Sequence, residues 1–250
     1  MTLLYTRKII LRNCGRFLHL SSDFGSKYKT HTFLTSEALY AGLTREVTRQ
    51  ARWVDLNNDE YDFFATYDLI KMPIWFTPGL FVDNNLAPLS KSTGVVDTNL
   101  FNVLDEGYPG TGGGKKRKPY CPTYGSMETI LPDKRLLTYC FSQKPELLEQ
   151  FNPGSIYLMG KKRTMFQIVE TSPAAICTKA EEANIWACQV TPEFVSRFTE
   201  YTVHAATRRY LLLSGKYAGS SFQANFPDGT TVAYPEQLLK LSGILCPKFI

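Results

Sequence analysis

From Phe81 to Gly125 the chain runs with little helical or strand periodicity and with many turn formers, and this run limits the fold more than any other stretch. A compact domain does not carry so long a loop inside its core, so the segment reads as an insertion, a functional loop or an extended hairpin arm. Its far end, Gly107 to Gly125, gathers Gly110, Gly112, Gly113 and Gly114 with Lys115, Lys116, Arg117 and Lys118, flanked by Tyr108, Tyr120 and Tyr124. No acidic residue lies between Glu106 and Glu128. The four cations therefore have no local counter-charge, and a polyanion is their natural partner.

The rest of the chain is that of a folded protein, with 44% hydrophobic and 13% aromatic residues in 250. A formal charge of +5 is only mildly basic, so a polyanion would be met by local patches and not by a uniformly cationic surface. The 6 cysteines are scattered without a Cys-x-x-Cys pair, and no histidine is placed to complete a zinc site. They read as reduced, mostly buried thiols, and neither a metal nor a cofactor is expected. Arg7, Lys8 and Arg12 fall inside and after the first apolar run, which is wrong for a signal peptide. No stretch approaches the roughly 20 apolar residues of a membrane span, so the expected setting is cytoplasmic, away from membranes.

Leu3 to Arg12 reads as a strand. Leu39, Leu43, Val47 and Ala51 repeat at helical steps behind Thr35 or Ser36 as N-cap, which predicts a helix from Ser36 to Trp53. Tyr67 to Phe76 predicts a strand closed by Thr77, Pro78 and Gly79. After the insertion come a strand from Arg135 to Ser142, a short helix from Pro145 to Phe151, and strands at Ser155 to Met159 and Thr164 to Glu170. Further on, Asn184 to Val190 predicts a strand, and Thr191 with Pro192 predicts a helix carrying Val195, Phe198 and Thr202 on one face. Tyr210 to Leu213 is strand-like, Phe222 to Phe226 and Thr230 to Tyr234 form a hairpin around Asp228 and Gly229, and Glu236 to Leu241 is a last short helix. The early order of elements predicts an α+β, ferredoxin-like domain, a fold that hosts many RNA-binding modules. We expect one elaborated domain over residues 1–250, with an arm or thumb inserted at 77–125 and additional C-terminal strands, a hairpin and helices at 171–250.

Nucleotide chemistry is excluded by spacing. Setting Gly114 and Lys115 on the phosphate-loop pattern puts Pro109 at the first glycine and Lys116 at the Mg-binding hydroxyl, while the dinucleotide pattern from Gly110 and Gly112 requires a glycine at Lys115. Only 3 histidines exist. His31, near Lys27, Tyr28 and Lys29, is the one set that could deprotonate a ribose hydroxyl, and a loop histidine beside solvated lysines is its plainer reading.

Cations recur at predicted turns and strand ends, most of them in acid-free segments. Arg16, Lys27 and Lys29 belong to the loop after the first strand, Lys161, Lys162 and Arg163 to the turn of a predicted hairpin, and Arg208 and Arg209 to the approach to Tyr210. With Lys115, Lys116, Arg117 and Lys118 they form the candidate RNA-binding set, and Tyr120 and Tyr124 offer rings on which bases of a single strand could stack. Catalytic residues are not expected.

The order and spacing of several short stretches resemble a known family. They are Phe17 to Ser22 with Thr30 before the first helix, Thr77 with Pro78, Phe101 and Asn102 with Glu106, Gly107 and Tyr108, Pro122 to Gly125 with Leu131 and Pro132, and Gly160 to Lys162 after a strand. Over about residues 5–170 the chain resembles the small RAMP-superfamily subunit that caps the CRISPR RNA (crRNA) 5′ end in type I-D Cascade complexes, a Cas-five-like protein. It departs from that pattern at Asp23, where a basic residue is expected, and at Ser36 with Glu37. The resemblance implies a non-catalytic subunit with a modified RNA-recognition (RRM) fold that holds the 5′ handle of the crRNA and whose inserted thumb reaches between RNA and target. It also implies contacts with the backbone subunits, with the large subunit, and with target DNA near the protospacer-adjacent motif (PAM). Two other readings of the residues stay open: a metal-independent repeat-RNA endonuclease, and a purely structural protein-binding subunit.

Overall fold

A computed structural model describes residues 3–15, 18, 20, 30–44, 73–102, 124–159, 164–206 and 210–242, with backbone alone at 99–102, 124–126, 204–206 and 241. Strand β1 (Tyr5–Asn13) lies at the centre of an eight-stranded sheet. It pairs antiparallel on one side with β7 (Arg135–Ser142), through Lys8 opposite Tyr139 and Arg12 opposite Arg135, and on the other with β9 (Thr164–Thr171). Strand β4 (Gly79–Val82) continues the sheet beyond β7, β2 (Phe33–Leu34) pairs with β4, and β8 (Ile156–Met159) pairs with β9. The order is β2-β4-β7-β1-β9-β8.

Helix α1 (Ser36–Leu43) falls between β1 and β4 in the chain, and the single turn α2 (Pro145–Leu148) falls between β7 and β9. Chain order β-α-β-β-α-β with antiparallel spatial order β4-β7-β1-β9 defines a ferredoxin-like α+β domain. The Thr35 hydroxyl caps α1 by accepting from Ala38 N at 3.1 Å, which decides between the two caps the sequence offers; the rest of the expected helix, 45–53, lies outside the described residues.

Strand β1 reads as an apolar run without alternation because both its faces are covered. Ile9 and Leu11 pack toward α1 and α2 with Phe76, Leu136, Cys140, Leu148, Phe166 and Ile168. Leu4 and Ile10 face the other way with Leu137, Tyr139 and Phe141. A second, four-stranded sheet closes that other face. It comprises β11 (Thr178–Val190), β12 (Phe198–Ala206) and the long β13 (Tyr210–Asn225), with β14 (Thr231–Pro235) paired to β13. The two sheets meet through aromatic rings: Tyr139 lies 5.9 Å from Trp186 and 5.6 Å from Phe226, and Phe141 lies 5.6 Å from Tyr234. The short β10 (Ala175–Ile176) pairs with β1 and leads into this sheet, α3 (Pro192–Val195) joins β11 to β12, and α4 (Glu236–Leu241) follows β14.

One sequence expectation holds in part and another changes. A strand does end at Phe76 before Thr77 and Pro78, but Gly79 opens a further strand on the same partner, and 67–72 lie outside the described residues. The segment β3 (Ile74–Phe76) and β4 both pair with β7, bridged by the Thr77 N–H donating to Tyr139 O at 2.8 Å. The helix expected to carry Phe198 and Thr202 is a single turn ending at Val195, and Phe198 opens strand β12. Phe198 packs 5.3 Å from Tyr217 and 6.1 Å from Phe194, and the branched Thr199, Thr202 and Val203 suit a strand on β13 better than a helix.

Within the expected unstructured run, a 3-10 turn at Lys91–Thr93 precedes β5 (Val96–Asn102), which pairs with β6 (Tyr124–Ile130) from Val96 opposite Ile130 to Asn102 opposite Tyr124. The pair is a two-stranded ribbon, about 20 Å long, between β4 and β7 in the chain.

Candidate nucleic-acid interface

Of the predicted RNA-binding set, Arg16, Lys27, Lys29, Lys115, Lys116, Arg117, Lys118, Tyr120, Lys161, Lys162, Arg163, Arg208 and Arg209 lie outside the described residues, and Tyr124 is described as the first backbone position of β6. The structure does place the stems from which those segments leave. Two of the four stems and the foot of a third, the ribbon that carries 103–123 at its far end, come together at one end of the first sheet.

The junction is built on Asn13, a buried side chain at the end of β1. Its Nδ2 donates to Leu131 O at 3.1 Å, just after β6, and its Oδ1 accepts from Gly15 N at 2.9 Å. Its backbone N–H donates to Lys134 O, and its carbonyl accepts from Asp133 N, in the turn that enters β7. One side chain thus holds the start of the first cationic loop against the foot of the ribbon. The Cys14 N–H donates to Met165 O at 2.9 Å, and a Cβ on Gly15 would stand 2.5 Å from Thr164 Cγ2. Glycine suits this position because the chain passes directly against the first residue of β9, beside the strand ends that flank 160–163.

A second set of bonds closes the loop on itself. Leu20 N donates to Thr30 Oγ1 at 2.9 Å and His31 N donates to Leu20 O at 2.9 Å, so the two ends of segment 21–29 are held side by side. Ile130 N donates to Leu18 O at 2.7 Å, Thr30 N donates to Glu128 Oε2 at 3.0 Å, and Lys91 Nζ pairs with the same carboxylate. The ends of segment 21–29 and the foot of the ribbon are therefore joined. Sequence reasoning registered Glu128 only as the residue ending an acid-free stretch, and missed Asn13 and Lys91. The fourth stem lies on the second sheet, where Tyr210 pairs with Val190 and Ala206, and the neighbouring Gln189 Oε1 accepts from Ser36 N at 3.2 Å.

Other cations serve the fold. The Arg7 guanidinium donates to Ser172 O, Leu148 O and Thr171 Oγ1 at 2.7, 2.7 and 2.8 Å, tying β1 to the end of α2. Lys8 is buried between the sheets and bonded to Asp228. The His31 ring rests 5.0 Å from the ring of buried Phe33, and Lys27, Tyr28 and Lys29, the other members of its proposed set, lie outside the described residues. Burial pushes the thiols of Cys140 and Cys177 up to about 12 and that of Cys188 upward as well, which holds them protonated and poorly nucleophilic. Among the described residues no group of His, Cys, Asp and Glu is arranged to hold a metal, and no helix is long and apolar enough to cross a membrane.

An RNA-recognition module of this topology stacks bases on aromatic side chains of its open sheet face. Here the aromatic residues of that face, Tyr139 and Phe141, are sealed beneath the second sheet. The part left open, on β8 and β9, shows Ile156, Leu158 and Met165 and no ring.

The chain is thus a ferredoxin-like α+β protein with a ribbon inserted before its third core strand and a second sheet over its usual binding face. No protein-family model matches it, and no curated protein does. Solved structures with some likeness include a chain of the type III-B Cmr-beta complex bound to cognate target RNA and AMPPnP, with 8% identity, coverage of 86% of this chain and 84% of that one, and a TM-score of 0.39. A chain of the same complex bound to cognate target RNA gives 9% identity, 90% and 86% coverage, and a TM-score of 0.37. The fold assignment stands on strand order and pairing.

Proposed function

We propose that this chain is a non-catalytic RNA-binding subunit of a CRISPR ribonucleoprotein, of the RAMP type. In the fuller form of this reading it holds the 5′ handle of the crRNA in a type I-D interference complex, caps the backbone filament, and assists the large subunit at target DNA near the PAM. The observation that carries the reading is that the ends of segment 21–29, the foot of the ribbon whose far end leads to 103–123, and the strand ends flanking 160–163 meet at one end of a sheet whose ordinary RNA face is closed. Such a surface tracks a phosphate backbone and leaves sequence discrimination to base pairing by the guide. The sequence resemblance over residues 5–170 supports the same class, and His31 packed on Phe33 favours a structural over a catalytic role.

The test is the salt dependence of single-stranded RNA binding by the purified chain. Replacing Lys115, Lys116, Arg117 and Lys118 together by alanine is expected to lower the slope of log affinity against log salt by ~0.7 for each phosphate that is no longer neutralised. An unchanged slope removes that segment from the interface, and a wild-type chain that binds no RNA removes the function.

A further inference from the structure

The outer strand of the first sheet combines an open backbone with an apolar face. Strand β8 ends the order β2-β4-β7-β1-β9-β8, so among the described residues no strand lies on its far side. Ile168 N donates to Ser155 O at 2.9 Å, just before β8 begins. By antiparallel alternation the backbone groups of Tyr157 and Met159 then turn toward β9, and those of Ile156 and Leu158 turn outward. The side chains divide in the same way. Tyr157 and Met159 are buried in the core shared with α1, while Ile156 and Leu158 stand 55% and 47% exposed on the opposite face. Beside them Met165, opposite Leu158 on β9, is 41% exposed.

An uncharged edge of this kind is a template for a further strand, and soluble proteins blunt such edges with charge, proline, bulges or short length. Two other edges do so here: β2 has 2 residues, and β12 carries Glu200 and shifts register against β13 at three places. Strand β8 has no charge, no proline and no register shift against β9. Whatever covers it must bring outward-facing backbone groups on alternate residues whose side chains are aliphatic and share one face. The same strand of a second copy meets that requirement. We propose that this chain self-associates through β8, in an antiparallel twofold pairing that sets Ile156 of each copy opposite Leu158 of the other. Each such pair exchanges two backbone hydrogen bonds, so the outward N–H and C=O groups of both residues are satisfied. The aliphatic side chains of the two copies then lie on one face of a continuous sheet and leave water together, flanked by Met165. An edge of this length covers less than the roughly 800 Å² per partner of a stable complex. The dimer is therefore weak, half formed at on the order of 100 μM.

Sedimentation equilibrium of the purified full chain, freed of nucleic acid, tests this. Wild type is expected to pass from monomer to dimer between about 10 μM and about 1 mM. Leu158→Lys places a charge in the apolar strip of each copy and is expected to stay monomeric over that range. Leu158→Pro keeps an apolar side chain and removes only an outward N–H that β9 does not use, and is expected to weaken association about tenfold or more. Val203→Lys, at an exposed apolar position on β12, is expected to dimerise as wild type does. A wild type that stays monomeric up to about 1 mM overturns the inference. So does a dimer that survives both substitutions at position 158, or one that is lost in Val203→Lys. Should the variants at 158 no longer melt cooperatively, Ile156→Lys decides, and a dimer there as tight as that of wild type overturns the inference.

Discussion

Two lysine–carboxylate pairs fasten additions onto the ferredoxin-like sheet, and they sit in opposite surroundings. Lys8 points from β1 into the space between the sheets with 4% of its side chain exposed, where it meets Asp228 of the β13–β14 turn and, at 3.8 Å, Glu170. Lys91 meets Glu128 at the foot of the ribbon with 46% of its side chain exposed. The first pair replaces the hydration of an ammonium group, so breaking it leaves a buried charge. The second exchanges water for a carboxylate at little net gain. The two pairs thus differ in their ammonium groups, one buried and one exposed, while Asp228 is more exposed than Glu128.

Asp228 does more than close a turn. Its Oδ1 accepts from Thr230 N at 3.0 Å and from Thr230 Oγ1 at 2.7 Å, and Gly229 follows with φ of 81°, a left-handed value that glycine adopts without strain. The hydrogen bond from Lys8 and those from Thr230 hold its carboxyl down to about 2. Burial pushes the neighbouring Tyr139 phenol up to about 12, against a hydrogen bond with Thr230 and with a further rise from the Asp228 charge.

The largest effect expected from this contrast is an asymmetry within the dry pair. Asp228→Ala strands the Lys8 ammonium with only Glu170 nearby and is expected to cost about 3 kcal/mol. Lys8→Met removes the buried charge and leaves Asp228 exposed enough to hydrate, at a cost of about 1 kcal/mol or less. Denaturant unfolding of both variants checks this, and equal costs would break the distinction between dry and wet pairs. The next effect is on pH dependence. The folded value of Asp228 lies below its ordinary 3.8, and that of Glu236, bonded first by Ser220 and then by Lys240, falls from 4.5 to about 2. Depressed carboxyls contribute stability that is present above their unfolded values and lost as pH falls through the folded ones. Thermal midpoints should therefore drop as pH falls from about 4.5 to about 2, and the Asp228→Ala variant should drop less over that window. The smallest effect is at the wet pair, where Lys91→Ala should change stability by about 0.5 kcal/mol or less in the same melts. A cost several times larger would make the foot of the ribbon a second structural seam.

Much of the scaffold was legible because its causes are local. Strand β1, the Thr35 cap, the Asp228–Gly229 hairpin and strands β7, β8 and β9 each follow from residues within a few positions of one another. The extended helix after Thr191 failed because Phe198 answers to Tyr217, nineteen positions away in the chain, and not to its helical neighbours. Burial of Tyr139 and Phe141 under a second sheet was equally hidden, since apolar periodicity says that a face is covered but not by what. At the candidate interface the cationic segments stood out in the sequence, while Asn13 and Glu128, which join their stems, carry no compositional signal.

By itself the sequence determined the ferredoxin-like order of elements, the presence of an insertion, and the segments where positive charge clusters, because periodicity, turn chemistry and charge runs act over short distances. Only the tertiary structure decided that one face of the first sheet is closed by a second sheet, that the ends of segment 21–29, the foot of the ribbon and the strand ends flanking 160–163 meet at one end of the first sheet, and that Glu128 bonds to Thr30 and Lys91 there. Those outcomes depend on pairings between residues up to more than a hundred positions apart, such as Asn13 with Leu131, and such pairings are selected by the packing of the whole chain and not by any stretch of it.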